Sequence, residues 1–152
     1  LVSAAHQALA TAGLFPLDGG LKECAALVVG SCYGNQCETE QFLGRVLKNG
    51  LPSAQPFVFP NLVLNAPAAY AALDLELEGP NWTVSEHEAS GEAALAAAVD
   101  LLRSGATPLV CAGGVDEFSE LYLRALSEHR LLAGETGRSA SDRRRFLTPG
   151  EG

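Results

Sequence analysis

No methionine occurs in this chain, so it does not open at an initiator. Leu1 stands directly inside a helical pattern and Gly150-Glu151-Gly152 closes without a tail, so both ends read as cuts from a larger fold. Cations are scarce: ten Lys and Arg stand against eighteen Asp and Glu, a formal net charge of -8. Phosphate binding takes clustered cations, so no nucleic-acid partner is expected. The one basic cluster, Arg143-Arg144-Arg145, reads as a solvated loop. No apolar run reaches the length that spans a bilayer, and no charged segment precedes an apolar one as in a signal peptide. Neither a membrane nor an export route is expected. The four cysteines, Cys24, Cys32, Cys37 and Cys111, form no C-x-x-C pair and match no zinc spacing. Cys24 and Cys111 sit in apolar, strand-like runs and read as buried small hydrophobes. Cys32 and Cys37 have no nearby cation to lower a thiol pKa and read as inert. A reducing cytoplasm is the expected compartment. No G-x-G-x-x-G or P-loop is present, and neither a metal nor a cofactor is expected.

What is there is globular. The composition is 47% hydrophobic and 18% charged, and 152 residues suffice for one domain over 1–152 with a true core. Apolar spacings of three and four predict a helix from Leu1 to Ala12, stopped by Gly13. Phe15 to Gly20 reads as a loop, and Ala25 to Gly30 as a strand buried on both faces. Glu38 to Leu47 is an amphipathic helix with Phe42, Val46 and Leu47 on one side. Leu51 to Pro60, with three prolines, reads as an irregular loop. Helices are expected over Leu62 to Leu73, with Pro67 in the first turn, over Ala89 to Arg103, and over Glu120 to Leu132. Short strands are expected at Trp82 to Ser85 and Leu109 to Ala112. Apolar strands alternating with helices predict an α/β fold: a mostly parallel sheet with helices on both faces.

Sites in such sheets lie beyond the carboxyl ends of the strands. Three exits qualify: Ser31 to Gly34, Ser85 to Ser90, and Gly113 to Glu117. The second is the most informative. Thr83-Val84-Ser85 followed by Glu86-His87-Glu88-Ala89-Ser90-Gly91 is a strand feeding a helix through a small-residue turn, the layout that lifts a nucleophile into a cleft. The residue at the top of that turn is read as Glu88, a poor acyl acceptor. His87, its neighbour on an extended strand, points the other way and reads as an interface or packing residue. Glu86 and Glu88 share a face by the same alternation, so an acid/base pair is an open alternative. Gly113-Gly114 reads as a tight turn at positive φ. As a phosphate site it would place Asp116 and Glu117 unfavourably close to the anion. His6 and His129 read as surface positions on helices.

These exits also spell a resemblance. Gly79-Pro80, Thr83-Val84-Ser85 and Glu88-Ala89-Ser90-Gly91 resemble the active-site region of β-ketoacyl synthases, where Gly-Pro and a strand precede Cys-Ala-Ser-Gly. Gly105-Ala106, after the helix ending at Arg103, is similar to the family's G-A-D. Ala112-Gly113-Gly114-Val115-Asp116 resembles its A-G-G-x-[DE] turn. Pro60, Asn65 and Ala69 fall in its order, Phe146 and Gly150-Glu151-Gly152 are similar to its closing run, and Ala4-Ala5, Ala8-Leu9 and Ala12-Gly13-Leu14 fit its early helix. The resemblance covers nearly the whole chain and implies the N-terminal half of a thiolase-like fold, with the strand before the turn near a dimer interface.

Two departures shape the functional expectation. Glu88 stands where the family has its cysteine, with His87 and Glu86 replacing small residues. The chain also stops before the half that supplies two histidines and a lysine in the family. Without the thiol, no acyl-enzyme forms by the usual route. Three readings of Glu88 follow. It is a carboxylate favoured by a helix N-terminus, it marks a non-condensing partner like the family's chain-length factors, or it belongs to a decarboxylating site. The resemblance thus implies a subunit of fatty-acid or polyketide assembly. It would pair with an active ketosynthase, or with itself as a dimer, and meet an acyl carrier protein only indirectly. The expected site residues are Glu88 and His87 as the degenerate catalytic position, and Gly113 and Gly114 against the substrate.

Overall fold

The computed structural model of the chain describes residues 1–129. Arg143-Arg144-Arg145, Phe146, Gly150-Glu151-Gly152 and the expected end of the last helix at Leu132 lie outside the described residues. The described residues fall into two compact units that divide between Glu117 and Phe118.

The first unit is built on one buried strand. β1 (Ala26–Gly30) is buried at every position, as its unbroken apolar run predicts. β2 (Asn81–Val84) and β3 (Val110–Gly114) pair with it in parallel, in the order β2-β1-β3. Both outer strands are only half covered. Full burial therefore holds for the central strand alone.

Helices cover both faces. On one, α6 (Ser90–Arg103) lays Ala94, Ala98 and Leu101 against Ala26 and Val28. Its alanines let the helix sit close to the sheet. On the other, α5 (Ala66–Asp74) packs Ala68, Ala71 and Ala72 against Leu27 and Val29. α1 (Val2–Thr11) adds Ala5 and Leu9 to a further cluster with Leu17 and Leu75.

Several local expectations change. The chain past the Gly19-Gly20 pair is not all loop: α2 (Gly19–Cys24) forms there, capped by Asp18 Oδ1, which accepts from the Leu21 N–H at 2.7 Å. Two glycines hide this helix from propensity, while the cap restores it. Cys24 accordingly ends a helix and lies in no strand. α3 (Gln36–Asn49) buries no residue fully. Phe42 and Val46 are half-buried, but Leu47 is 86% exposed and does not share their side.

The proline-rich stretch is not irregular throughout. It makes two 3-10 turns, Leu51–Ser53 and Pro56–Val58, and the single-turn helix α4 (Phe59–Leu62). The single helix expected over Leu62 to Leu73 is interrupted. Pro67 does sit in the first turn of α5, and Val63, four residues before it, is extended with ψ 145. A helical residue there would bring its carbonyl against the proline ring.

In the second unit, α7 (Glu120–Glu128) is capped by Ser119 Oγ, which accepts from the Tyr122 N–H at 3.1 Å. Phe118 stacks on Tyr122 with ring centroids 5.6 Å apart.

Candidate functional site

The parallel register puts all three strand exits at one edge of the sheet, because Gly30, Val84 and Gly114 stand level with one another. The Ser31 N–H donates to Val84 O at 3.0 Å, and the Val115 N–H donates to Gly30 O at 3.0 Å. The exits singled out in the sequence are thus tied together, backbone to backbone.

The turn carrying Glu88 runs from the end of β2 to the start of α6. Glu86 and Glu88 form a β-bridge across it. His87, and not Glu88, occupies its left-handed apex, with φ 50. That region costs a non-glycine residue about 1–2 kcal/mol and is visited by His more than by most. Strand alternation stops at Val84, so it does not govern where His87 and Glu88 point. Glu86, His87 and Glu88 are all exposed.

Ser90 holds the turn. It is 3% exposed, and its Oγ accepts from the Glu86 N–H at 2.9 Å and donates to His87 O at 2.5 Å. α6 has no side-chain cap, so Glu88 does not bind the helix's first N–H groups. What remains of the electrostatic reading is the dipole, about 0.3–1 kcal/mol.

Glycine is required where the turn meets the sheet. A Cβ on Gly30 would lie 2.1 Å from Ser90 O, so β1 and the start of α6 touch through bare backbone. Gly113 and Gly114 are not a tight turn. Both lie in β3, where they pair with Val29 and Gly30, and neither has positive φ. A Cβ on Gly114 would stand 3.6 Å from Gly30 O and from Gly91 Cα, ordinary contact distances.

The exit of β1 shows a feature the sequence reading missed. Asp116 Oδ1 accepts from the N–H groups of Cys32, Tyr33 and Gly34 at 2.9, 2.7 and 3.3 Å, and from Ser31 Oγ at 3.0 Å. Glu117 Oε2 accepts from the Cys37 N–H, in the first turn of α3, at 2.9 Å. The two acids that argued against a phosphate are themselves the anions bound here. The available signal was Ser31 followed by Gly34 at a strand exit, a small-residue turn able to turn its N–H groups inward.

Cys24, Cys32 and Cys111 are in no disulfide. The Cys37 thiol is held above its ordinary 9.0 by its half-buried setting first and by Glu117 second, and burial raises Cys111. Thiols held protonated are poor nucleophiles, in keeping with the inert reading. Cys111 is only half-buried.

His6 is not a bare surface position. Its Nε2 lies 2.6 Å from Asp74 Oδ2, tying α1 to α5, with Phe15 edge-on at 4.7 Å. The pair opens on a shallow cavity shared with Lys22 and Glu76, which pair with each other. His129 is exposed. Among the described residues, no cluster of three or more His, Cys, Asp or Glu side chains is placed to hold a metal, and no helix is long and apolar enough to cross a membrane.

The chain is similar to known proteins. The family model for the N-terminal domain of β-ketoacyl synthases matches residues 1–152. Nodulation protein E of Rhizobium meliloti (strain 1021) is 32% identical over 152 residues, which cover 99% of this chain and 38% of that protein. The chloroplastic 3-oxoacyl-(acyl-carrier-protein) synthase I of Arabidopsis thaliana is 28% identical over 95 residues, 62% of this chain and 20% of that protein. Among solved structures, the ishigamide ketosynthase/chain length factor superposes with TM-score 0.62 and 30% identity over 76% of this chain and 31% of its own. A β-ketoacyl synthase from Burkholderia phymatum shares the fold, with TM-score 0.74 and 24% identity over 97% of this chain and 35% of its own. The chain thus spans little more than a third of the length of the relative it matches from end to end. With three exits on one sheet edge and a family match over every residue, this chain belongs to the β-ketoacyl synthase family, as its N-terminal domain.

Proposed function

We propose that this domain belongs to a non-condensing ketosynthase-type subunit of fatty-acid or polyketide assembly, which pairs with an active, cysteine-bearing ketosynthase and shapes its acyl tunnel. The observation that carries the reading is Glu88 at the position where the family places its nucleophilic cysteine, in an exposed turn at the sheet edge. A carboxylate that attacks a thioester is a better leaving group than the thiolate, so the tetrahedral adduct collapses back and no acyl-enzyme accumulates. A partner subunit tolerates that loss, and a condensing enzyme does not. The solved ketosynthase/chain length factor at 30% identity supports the reading.

β2 supplies a surface for pairing. Among the described residues it has a neighbour on one side only, and its Asn81 and Trp82 are exposed. An open strand edge with an aromatic beside it is a ready interface. The net charge of -8 repels an acidic acyl carrier protein, so carrier contact falls to the partner.

The test is co-purification of the complete protein from its source, with the recovered chains identified by mass spectrometry and the mass of the complex determined. A cysteine-bearing ketosynthase recovered in equal amount is the expected result. Recovery of a self-dimer alone would move the proposal to its alternative, an acyltransferase or decarboxylase that uses residues outside this segment.

A further inference from the structure

Three successive N–H groups at the β1 exit converge on one point, a concavity that binds anions. Here the anion is the Asp116 side chain, which arrives from more than eighty residues away. The cradle rests against the turn that carries Glu88. Ser31 lends its hydroxyl to Asp116 and its N–H to Val84 O, while Gly30 touches the Ser90 backbone with no room for a Cβ. Position 88 lies between Val84 and Ser90, and both of these rest on residues 30 and 31.

We propose that Asp116 is a positioning residue: its carboxylate holds the β1 exit, and through it sets the placement of the turn that presents position 88. This rests on position 88 being the pivotal position of the site, as proposed above, but not on which residue or partner performs chemistry. Asn at 116 keeps an acceptor oxygen and loses the charge that four donors surround. Glu keeps the charge and displaces it by one methylene.

The experiment uses the complete protein with Glu88→Cys, which adds a thiol to the turn. Alkylation of that thiol by iodoacetamide is followed across pH by mass spectrometry of the peptide that carries it. Adding Asp116→Asn or Asp116→Glu is expected to change the rate by at least about threefold and to shift its pH midpoint, the size of effect expected of coupled sites. Adding Asp74→Asn, which removes the charge from the part-exposed His6–Asp74 pair, is expected to change neither. Urea midpoints establish that each variant is folded, and Asp116→Glu decides if Asp116→Asn is not. Unchanged alkylation in the folded Asp116 variants overturns the proposal. An equal change from Asp74→Asn does the same, since it reduces Asp116 to general stability. The readout needs neither acyl loading nor a partner, so loss of the partner-subunit reading leaves the comparison standing.

Discussion

At the residue scale, position 88 separates two chemistries. The exposed Glu88 side chain does not cap α6, so replacing it removes no local scaffold beyond a weak dipole interaction. If the partner ketosynthase performs condensation, Glu88→Cys in the assembled complex is expected to leave turnover within about twofold, because the new thiol lies off the reaction path. Steady-state turnover and the mass of any acyl adduct on this chain check it; a larger change in either favours an activity of its own. Ser90 is the more consequential residue for the turn. Its hydroxyl satisfies two backbone groups while nearly fully buried, and Ser90→Ala is expected to cost about 1–3 kcal/mol in urea unfolding, the penalty of leaving buried polar groups unpaired.

At the scale of elements, the contact between β1 and α6 depends on the absence of a side chain. Gly30 would place a Cβ 2.1 Å from Ser90 O and 2.4 Å from its carbonyl carbon. Neither is a flexible side-chain end that could swing away, so strand and helix must part. Gly30→Ala is expected to destabilise the domain by at least about 3 kcal/mol, the upper range of overpacking costs, and Gly114→Ala by far less, since its nearest atoms stand at 3.6 Å. Chemical denaturation of the two variants side by side tests the contrast. The same comparison separates what was legible from what was not. An unbroken apolar run announced β1, and an alanine-rich pattern announced α6. That two glycines ending β3 extend the strand, where a turn was read, depends on their pairing with Val29 and Gly30 across the sheet.

At the scale of the whole molecule, two properties follow from burial and exposure. The Cys111 thiol is raised above 9.0 by burial, so the folded state keeps its proton while the unfolded chain loses it. Stability linked to this group is fully present below pH 9.0 and falls as pH rises through the folded-state value. Cys111→Ala is expected to flatten that alkaline decline relative to the unsubstituted protein, as read by urea midpoints between about pH 8 and 11. The proposed pairing uses the open side of β2. Trp82 is 47% exposed, so Trp82→Arg is expected to leave the thermal midpoint nearly unchanged while weakening association at least about tenfold, as loss of an interface aromatic does. Native mass and affinity measurements on the complete protein check both halves of that statement.

The sequence by itself determined the alternation of helix and strand, the burial of the central strand, the scarcity of cations and the acid at position 88. These follow from composition and from periodicities that act over a few residues. Only the tertiary structure decided that Asp116 closes the exit of β1, that His6 meets Asp74, that Leu47 faces outward and that His87 takes the apex of the turn. The first two contacts span 83 and 68 residues, and no local pattern encodes a partner at that range. The Asp116 contact arises once parallel register brings the carboxyl ends of three strands level and the backbone N–H groups left unpaired there find an acceptor, and the His6 contact arises where α1 packs on α5.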